Sequence, residues 1–135
     1  MTEKKRCAFG TWPSPLTAER LTASTVRLGN IQFHKGRLYW SEGRPEELGR
    51  SAIASVGDNG ELETLLPEPW NARTRVHEYG GLSFNISDQG ILFSNFGDQR
   101  LYLHQPGTST APQALTKDNG HRFGAPVADP VRKGW

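Results

Sequence analysis

The sequence predicts an all-β chain built from two four-stranded antiparallel units and the first strand of a third, and three observations predict it. From Arg27 onward, apolar and polar residues alternate with period two in runs of four to eight residues rich in β-branched and aromatic side chains. Turn formers, chiefly Gly, Asn, Asp and Pro, separate these runs. The series of four runs then restarts: Gly36 and Gly90, Arg50 and Arg100, and Leu66 and Thr116 hold corresponding places 54, 50 and 50 residues apart. That period is in the range of a β-propeller blade.

Taken in order, the chain begins with one short helical signal. Ser14 stands as N-cap and Pro15 at the first helical position, ahead of the good helix formers LTAERLTA. Strands are then expected at about 27–34 (RLGNIQFH), 37–42 (RLYWSE), 50–57 (RSAIASVG) and 61–66 (ELETLL). The second set is expected at about 82–87, 90–95, 99–105 and 112–116. Lys35-Gly36 and Gln89-Gly90 are read as closing the first hairpin of each set, with glycine supplying the backbone freedom of a tight turn. HEYGGLSFNISDQGI from His77 also lies over HRFGAPVADPVRKGW from His121 without a gap, 44 residues later. His77/His121, Gly80/Gly124 and Gly90/Gly134 coincide, Tyr79 lies over Phe123 and Ile91 over Trp135. The expected organisation is therefore an N-terminal segment with the short helix (1–26), blade 1 (27–70), blade 2 (71–120) and a truncated start of blade 3 (121–135). This is a partial β-propeller.

Composition narrows the function classes. The 16 Lys and Arg against 14 Asp and Glu give a net charge of +2, and the basic residues are scattered rather than gathered on one face, which argues against a nucleic-acid partner. Cys7 is the single cysteine, so no intrachain disulfide and no thiolate metal cluster can form, and a reducing, cytoplasmic setting is expected. Pro13 and Pro15 follow the basic start before any apolar run of signal-peptide length, and no stretch approaches a membrane span, so no membrane association is expected.

A serine hydrolase needs its nucleophile on a G-x-S-x-G elbow between strand and helix, with a histidine base and an orienting carboxylate. The nearest string, Gly81-Leu82-Ser83-Phe84-Asn85, lacks the last glycine and leads into more strand, so Ser83 is read as a strand residue. His77-Glu78 is followed by Tyr-Gly-Gly rather than completing HExxH, and the four histidines are dispersed, so no metal and no cofactor are expected. No phosphate-binding G-x-x-x-x-G-K-[ST] loop occurs. Tyr39 and Trp40 are neighbours in one strand and point to opposite faces, as blades packed on both sides require, which favours core packing over a base-stacking platform.

The strings FGTWPSPLTAE (Phe9 to Glu19), LYWSEGRPEELGRS (Leu38 to Ser51), RTRVHEYGG (Arg73 to Gly81), FSNFGDQRLY (Phe93 to Tyr102) and RFGAPVADP (Arg122 to Pro130) span nearly all of the chain. In them the chain resembles the N-terminal β-propeller of the prolyl oligopeptidase family, in its branch of dipeptidyl and acylaminoacyl peptidases. The resemblance implies a parent serine peptidase in which a propeller of about seven blades caps a C-terminal α/β-hydrolase domain and restricts access to short peptides. It implies as partners the remaining blades, that hydrolase domain and a peptide substrate; the isolated chain is expected to hydrolyse nothing and either to self-associate or to unfold marginally and with weak cooperativity. By the same resemblance Arg73, Arg75, His77 and Glu78 border a channel for peptide; Glu46 with Glu47 offers a carboxylate pair for a peptide's α-ammonium by analogy only, since the family's paired glutamates lie in another part of the propeller. The plainer reading makes His77 a blade-spacing residue and Glu46-Glu47 a solvated loop paired with Arg44 or Arg50. The alternative at the level of function is a free-standing interaction module that pairs an exposed blade edge with a partner strand.

Overall fold

The structure, a computed structural model, describes residues 6–11, 14, 16–18, 25–129 and 131–132. The helix expected after Ser14 lies largely outside the described residues; within them, Ser14 Oγ accepts a hydrogen bond from the Leu16 N–H at 3.1 Å, the bond an N-cap side chain makes.

Period-two alternation produces two four-stranded antiparallel sheets. The first runs β1 (Arg27–His34), β2 (Arg37–Arg44), β3 (Arg50–Val56) and β4 (Leu62–Thr64), with neighbours in sequence paired in space. The second runs β5 (Phe84–Ser87), β6 (Gly90–Ser94), β7 (Leu101–His104) and β8 (Gln113–Ala114) in the same order. Each is the meander of one blade. β4 and β8 are shorter than the alternation suggests, because only Leu62–Thr64 and Gln113–Ala114 meet a ladder partner. β7 starts at Leu101 because Gln99 (φ 61°) closes a turn in which its N–H binds the Asn95 carbonyl at 2.8 Å.

The turns carry one correction. Lys35 and Gly36 both have positive φ (47° and 80°), the backbone of a type I′ hairpin turn. Gly90, however, is the first residue of β6 rather than part of the turn, which consists of Asp88 and Gln89. Glycine is required there because a Cβ would lie 2.4 Å from the His104 carbonyl oxygen of β7. The sequence pattern marked the residue, and close approach of two backbones gives the reason.

The core lies between the two sheets. Ile53, Leu66 and Ala72 meet Phe84, Ile91, Phe93 and Tyr102, with Tyr39, Trp70 and Ile86 packed at the margin. Trp70 sits edge-on to Phe93, with ring centroids 6.0 Å apart, and tilted on Tyr102 at 4.7 Å. Burying side chains of this size stabilises by about 1.5–3 kcal/mol each. Polar bonds set the spacing of the sheets. Gln32 of β1 donates from Nε2 to the Phe84 carbonyl at 2.7 Å and accepts from the Ile86 N–H at Oε1, 3.0 Å away. Its carboxamide thus stands in for a strand between β1 and β5. At one end His34 and Lys35 both reach Asp88, at 3.0 and 2.6 Å.

The segment from His121 docks on the second sheet, and Asp129 takes part in an isolated bridge. Its Phe123 carbonyl accepts hydroxyl bonds from Thr74 (2.6 Å) and Ser94 (2.7 Å), and the Ala125 N–H binds the Leu82 carbonyl at 2.7 Å. The residue that should open the next strand, Trp135, lies outside the described residues.

Candidate functional site

The segment Arg73–Gly81 leads from the first sheet to the innermost strand of the second. Ala72 is anchored by its N–H to the Ser51 carbonyl (2.8 Å) and forms a bridge with Asn95, and the Arg73 N–H binds the Ser94 carbonyl at 3.1 Å. With the backbone held on both sides, alternation sends Thr74 inward to Phe123 and leaves Arg73 and Arg75 exposed. Both guanidinium groups rest on the ring of Phe96, at 4.9 and 5.3 Å from its centroid. Such contacts contribute about 0.5–1 kcal/mol each at exposed positions, and they hold two like charges close together.

Val76–Tyr79 then forms a tight turn in which His77 and Glu78 have φ of 55° and 67°. The Glu78 N–H binds the Arg75 carbonyl at 3.0 Å and the Gly80 N–H the Val76 carbonyl at 2.9 Å. Positive φ at two consecutive residues other than glycine costs backbone energy that these bonds offset. His77 stacks on Tyr79 with ring centroids 5.8 Å apart, and its repeat partner His121 also meets the aromatic two residues on, Phe123, but edge-on at 6.5 Å. The His77 ring is exposed and makes no hydrogen bond among the described residues; Gln32 and Thr74 form the bonds between units instead. Glu78 is ion-paired with Arg122.

Glu46 and Glu47 lie in a 3₁₀ turn (Pro45–Glu47) and have different surroundings. Glu46 is exposed. Glu47 receives Arg50 Nε at 2.5 Å and Arg44 Nη1 at 3.1 Å. The bond from Arg50, with Arg44 adding to it, holds the Glu47 carboxyl below its ordinary range. Arg44 also donates to Glu42 (2.8 Å) and Thr64 (2.7 Å), and Glu42 accepts from Trp40 Nε1 at 2.9 Å. Glu47 is thus committed to a network while Glu46 is exposed, and both border one pocket with Glu42, Arg44 and Leu62.

A groove of about 830 Å³ crosses the end of the first sheet. Its walls include Arg27, Gly29, Ser41, Gly43, Ser51 and Arg73, and the turn residue Pro45 closes one side. The segment carrying Arg73 and the turn carrying Glu46 therefore border one space. Arg27, Phe96 and Gln32 escaped the sequence reading. Alternation predicts which face a residue shares, but it does not say which cation in a strand has no carboxylate opposite it. Ser83, by contrast, behaves as a strand-entry residue: it is buried, and its carbonyl accepts the Ser94 N–H at 2.9 Å. Among the described residues no three His, Cys, Asp or Glu side chains gather as a metal site needs, and no helix is long and apolar enough to cross a membrane.

No protein-family model and no curated protein matches the chain. Solved structures do. A puromycin-hydrolyzing peptidase of Mycobacterium tuberculosis is 36% identical over 90% of this chain, with a TM-score of 0.77. A puromycin hydrolase is 33% identical over the same share, with a TM-score of 0.73. A mutant puromycin hydrolase complexed with PGG is 32% identical, with a TM-score of 0.77. The chain covers 20% of each of these three chains. The resemblance to the prolyl oligopeptidase family carried by RTRVHEYGG and its companion strings thus holds in three dimensions across nearly the whole chain.

Proposed function

We propose that this chain is a non-catalytic portion of the N-terminal β-propeller of a peptidase of the prolyl oligopeptidase family. Its two blades belong to the wall that restricts short peptides on their way to a hydrolase domain, in a cytoplasmic parent. The observation that supports this best is one of proportion: the chain matches puromycin-hydrolysing peptidases over 90% of its own length while spanning a fifth of theirs. The fold supports it physically. The face of the first sheet turned away from the second carries Leu28, Phe33, Leu38 and Leu62, all exposed, as a blade surface awaiting another blade would be. That face also suits the second reading, a free-standing module that docks a partner protein there.

A chimera tests the choice. The corresponding fifth of the Mycobacterium tuberculosis peptidase is replaced by this chain, and puromycin hydrolysis is measured beside the chain alone. The expected outcome is a folded chimera that hydrolyses puromycin and a lone chain that turns over neither puromycin nor aminoacyl chromogenic substrates. Hydrolysis by the lone chain that a serine-hydrolase inhibitor abolishes would overturn the non-catalytic assignment, and a chimera that cannot fold would favour the interaction module.

A further inference from the structure

The described arginines from Arg27 onward fall into two groups. Arg37, Arg44, Arg50, Arg122 and Arg132 each face at least one carboxylate, from Glu63, Glu42, Glu47, Glu78 or Asp129, and Arg100 is held by the Thr116 carbonyl at 2.8 Å. Arg27, Arg73 and Arg75 form no ion pair with a carboxylate among the described residues; the guanidinium groups of the last two rest on the ring of Phe96. Arg27 and Arg73 line the same groove, and among the described residues no Asp or Glu lines it with them.

Guanidinium groups gathered without a counter-ion repel one another, and an anion placed between them removes that cost. The planar fork of an arginine matches a carboxylate in bidentate geometry. Phe96 restrains Arg73 over its ring, so less side-chain freedom remains to be lost when a ligand is taken. β1 is the edge strand of its sheet, so an extended peptide lying along Arg27–Gly29 can add backbone hydrogen bonds.

We propose that this groove binds the free C-terminal carboxylate of a short peptide, with Arg27 and Arg73 as the two arms of the clamp. The choice of a peptide rests on the peptidase-propeller reading above; the choice of a carboxylate rests on the unpaired guanidinium groups. Titration calorimetry on the full chain tests it with three probes: acetyl-glycylglycine, its C-terminal amide and inorganic phosphate. The acid should bind at least about tenfold more tightly than the amide. Arg27→Gln and Arg73→Gln should each weaken the acid about tenfold or more and leave the amide unchanged, with Arg73→Lys recovering part of the loss. Circular dichroism checks that each variant is folded; if a glutamine variant is not, Arg73→Lys and the acid–amide comparison on the unaltered chain still decide. Equal binding of acid and amide, or folded variants that bind the acid normally, overturns the site. Phosphate binding as tight as that of the acid overturns the peptide assignment. Because the titration uses the lone chain, its failure leaves the chimera result standing, and a dead chimera leaves the titration standing.

Discussion

On one face of the first sheet, Tyr39 and Ile53 pack into the cluster with Phe84 and Phe93 of the second. On the other face, Leu28, Phe33, Leu38 and Leu62 are 68, 73, 44 and 61% exposed. Both faces are written with the same kind of side chain, since blades in a stack bury both. What separates them is a neighbour. The covered face has a second sheet with Trp70 and Tyr102 to fill the gap and Gln32 to fix the distance. The uncovered face is the same physics without its partner surface.

The largest effect expected from this comparison is a contrast between two phenylalanines. Phe93→Ala empties the buried centre of the interface and should cost about 3–5 kcal/mol in a urea titration, enough to unfold a marginal chain. Phe33→Ala, on the free face, should change stability by no more than about 0.5 kcal/mol while reducing self-association in sedimentation velocity. Equal losses at the two positions would mean that the free face is covered in solution by a surface of its own.

Next in size is Gln32→Ala. It removes two bonds that tie β1 to β5 and leaves the Ile86 N–H and the Phe84 carbonyl without that partner. The expected loss is about 1–3 kcal/mol, with Gln32→Glu intermediate because a carboxylate still accepts from Ile86 but cannot donate to Phe84. If Gln32→Ala unfolds at the wild-type urea concentration, the apolar cluster alone holds the sheets together.

The smallest effect is one of pH. His104 is buried between the sheets, donates through Nε2 to the Leu65 carbonyl at 3.1 Å and has an unpartnered Nδ1. Burial holds its pKa below the ordinary imidazole value despite that bond. The unfolded chain therefore takes up a proton first as pH falls, and stability declines from about pH 6.5, the free imidazole value, down to the depressed folded pKa. Urea midpoints at pH 7.5 and 5.5 should differ for the wild type and differ less for His104→Gln. An equal shift in both would assign the acid sensitivity to other groups.

Much of this molecule could be read without coordinates. β1 runs from Arg27 to His34 as the alternation states, and β2, β3 and β6 depart from their expected ranges by two residues or fewer. Local rules suffice there because each strand's periodicity and its turn residues agree. The overlay of His77 on His121 was equally legible, since a repeat is a property of the sequence itself. The candidate site was legible only as a neighbourhood. RTRVHEYGG marked the segment, but whether Arg73 meets a carboxylate or the ring of Phe96 depends on a residue 23 positions away brought alongside by the second sheet.

The order of strands and the first hairpin turn, at Lys35-Gly36, were determined by the sequence alone, because period two and backbone sterics act over a few residues. Tertiary structure alone decided the rest. It made Gly90 a point of backbone contact with His104, gave Glu47 two arginine partners while Glu46 is exposed, and put Arg27 and Arg73 on one groove with no carboxylate beside them among the described residues. Each of those outcomes depends on distances between strands that are far apart in the chain. Such distances are set only when the two sheets pack and the core between them closes.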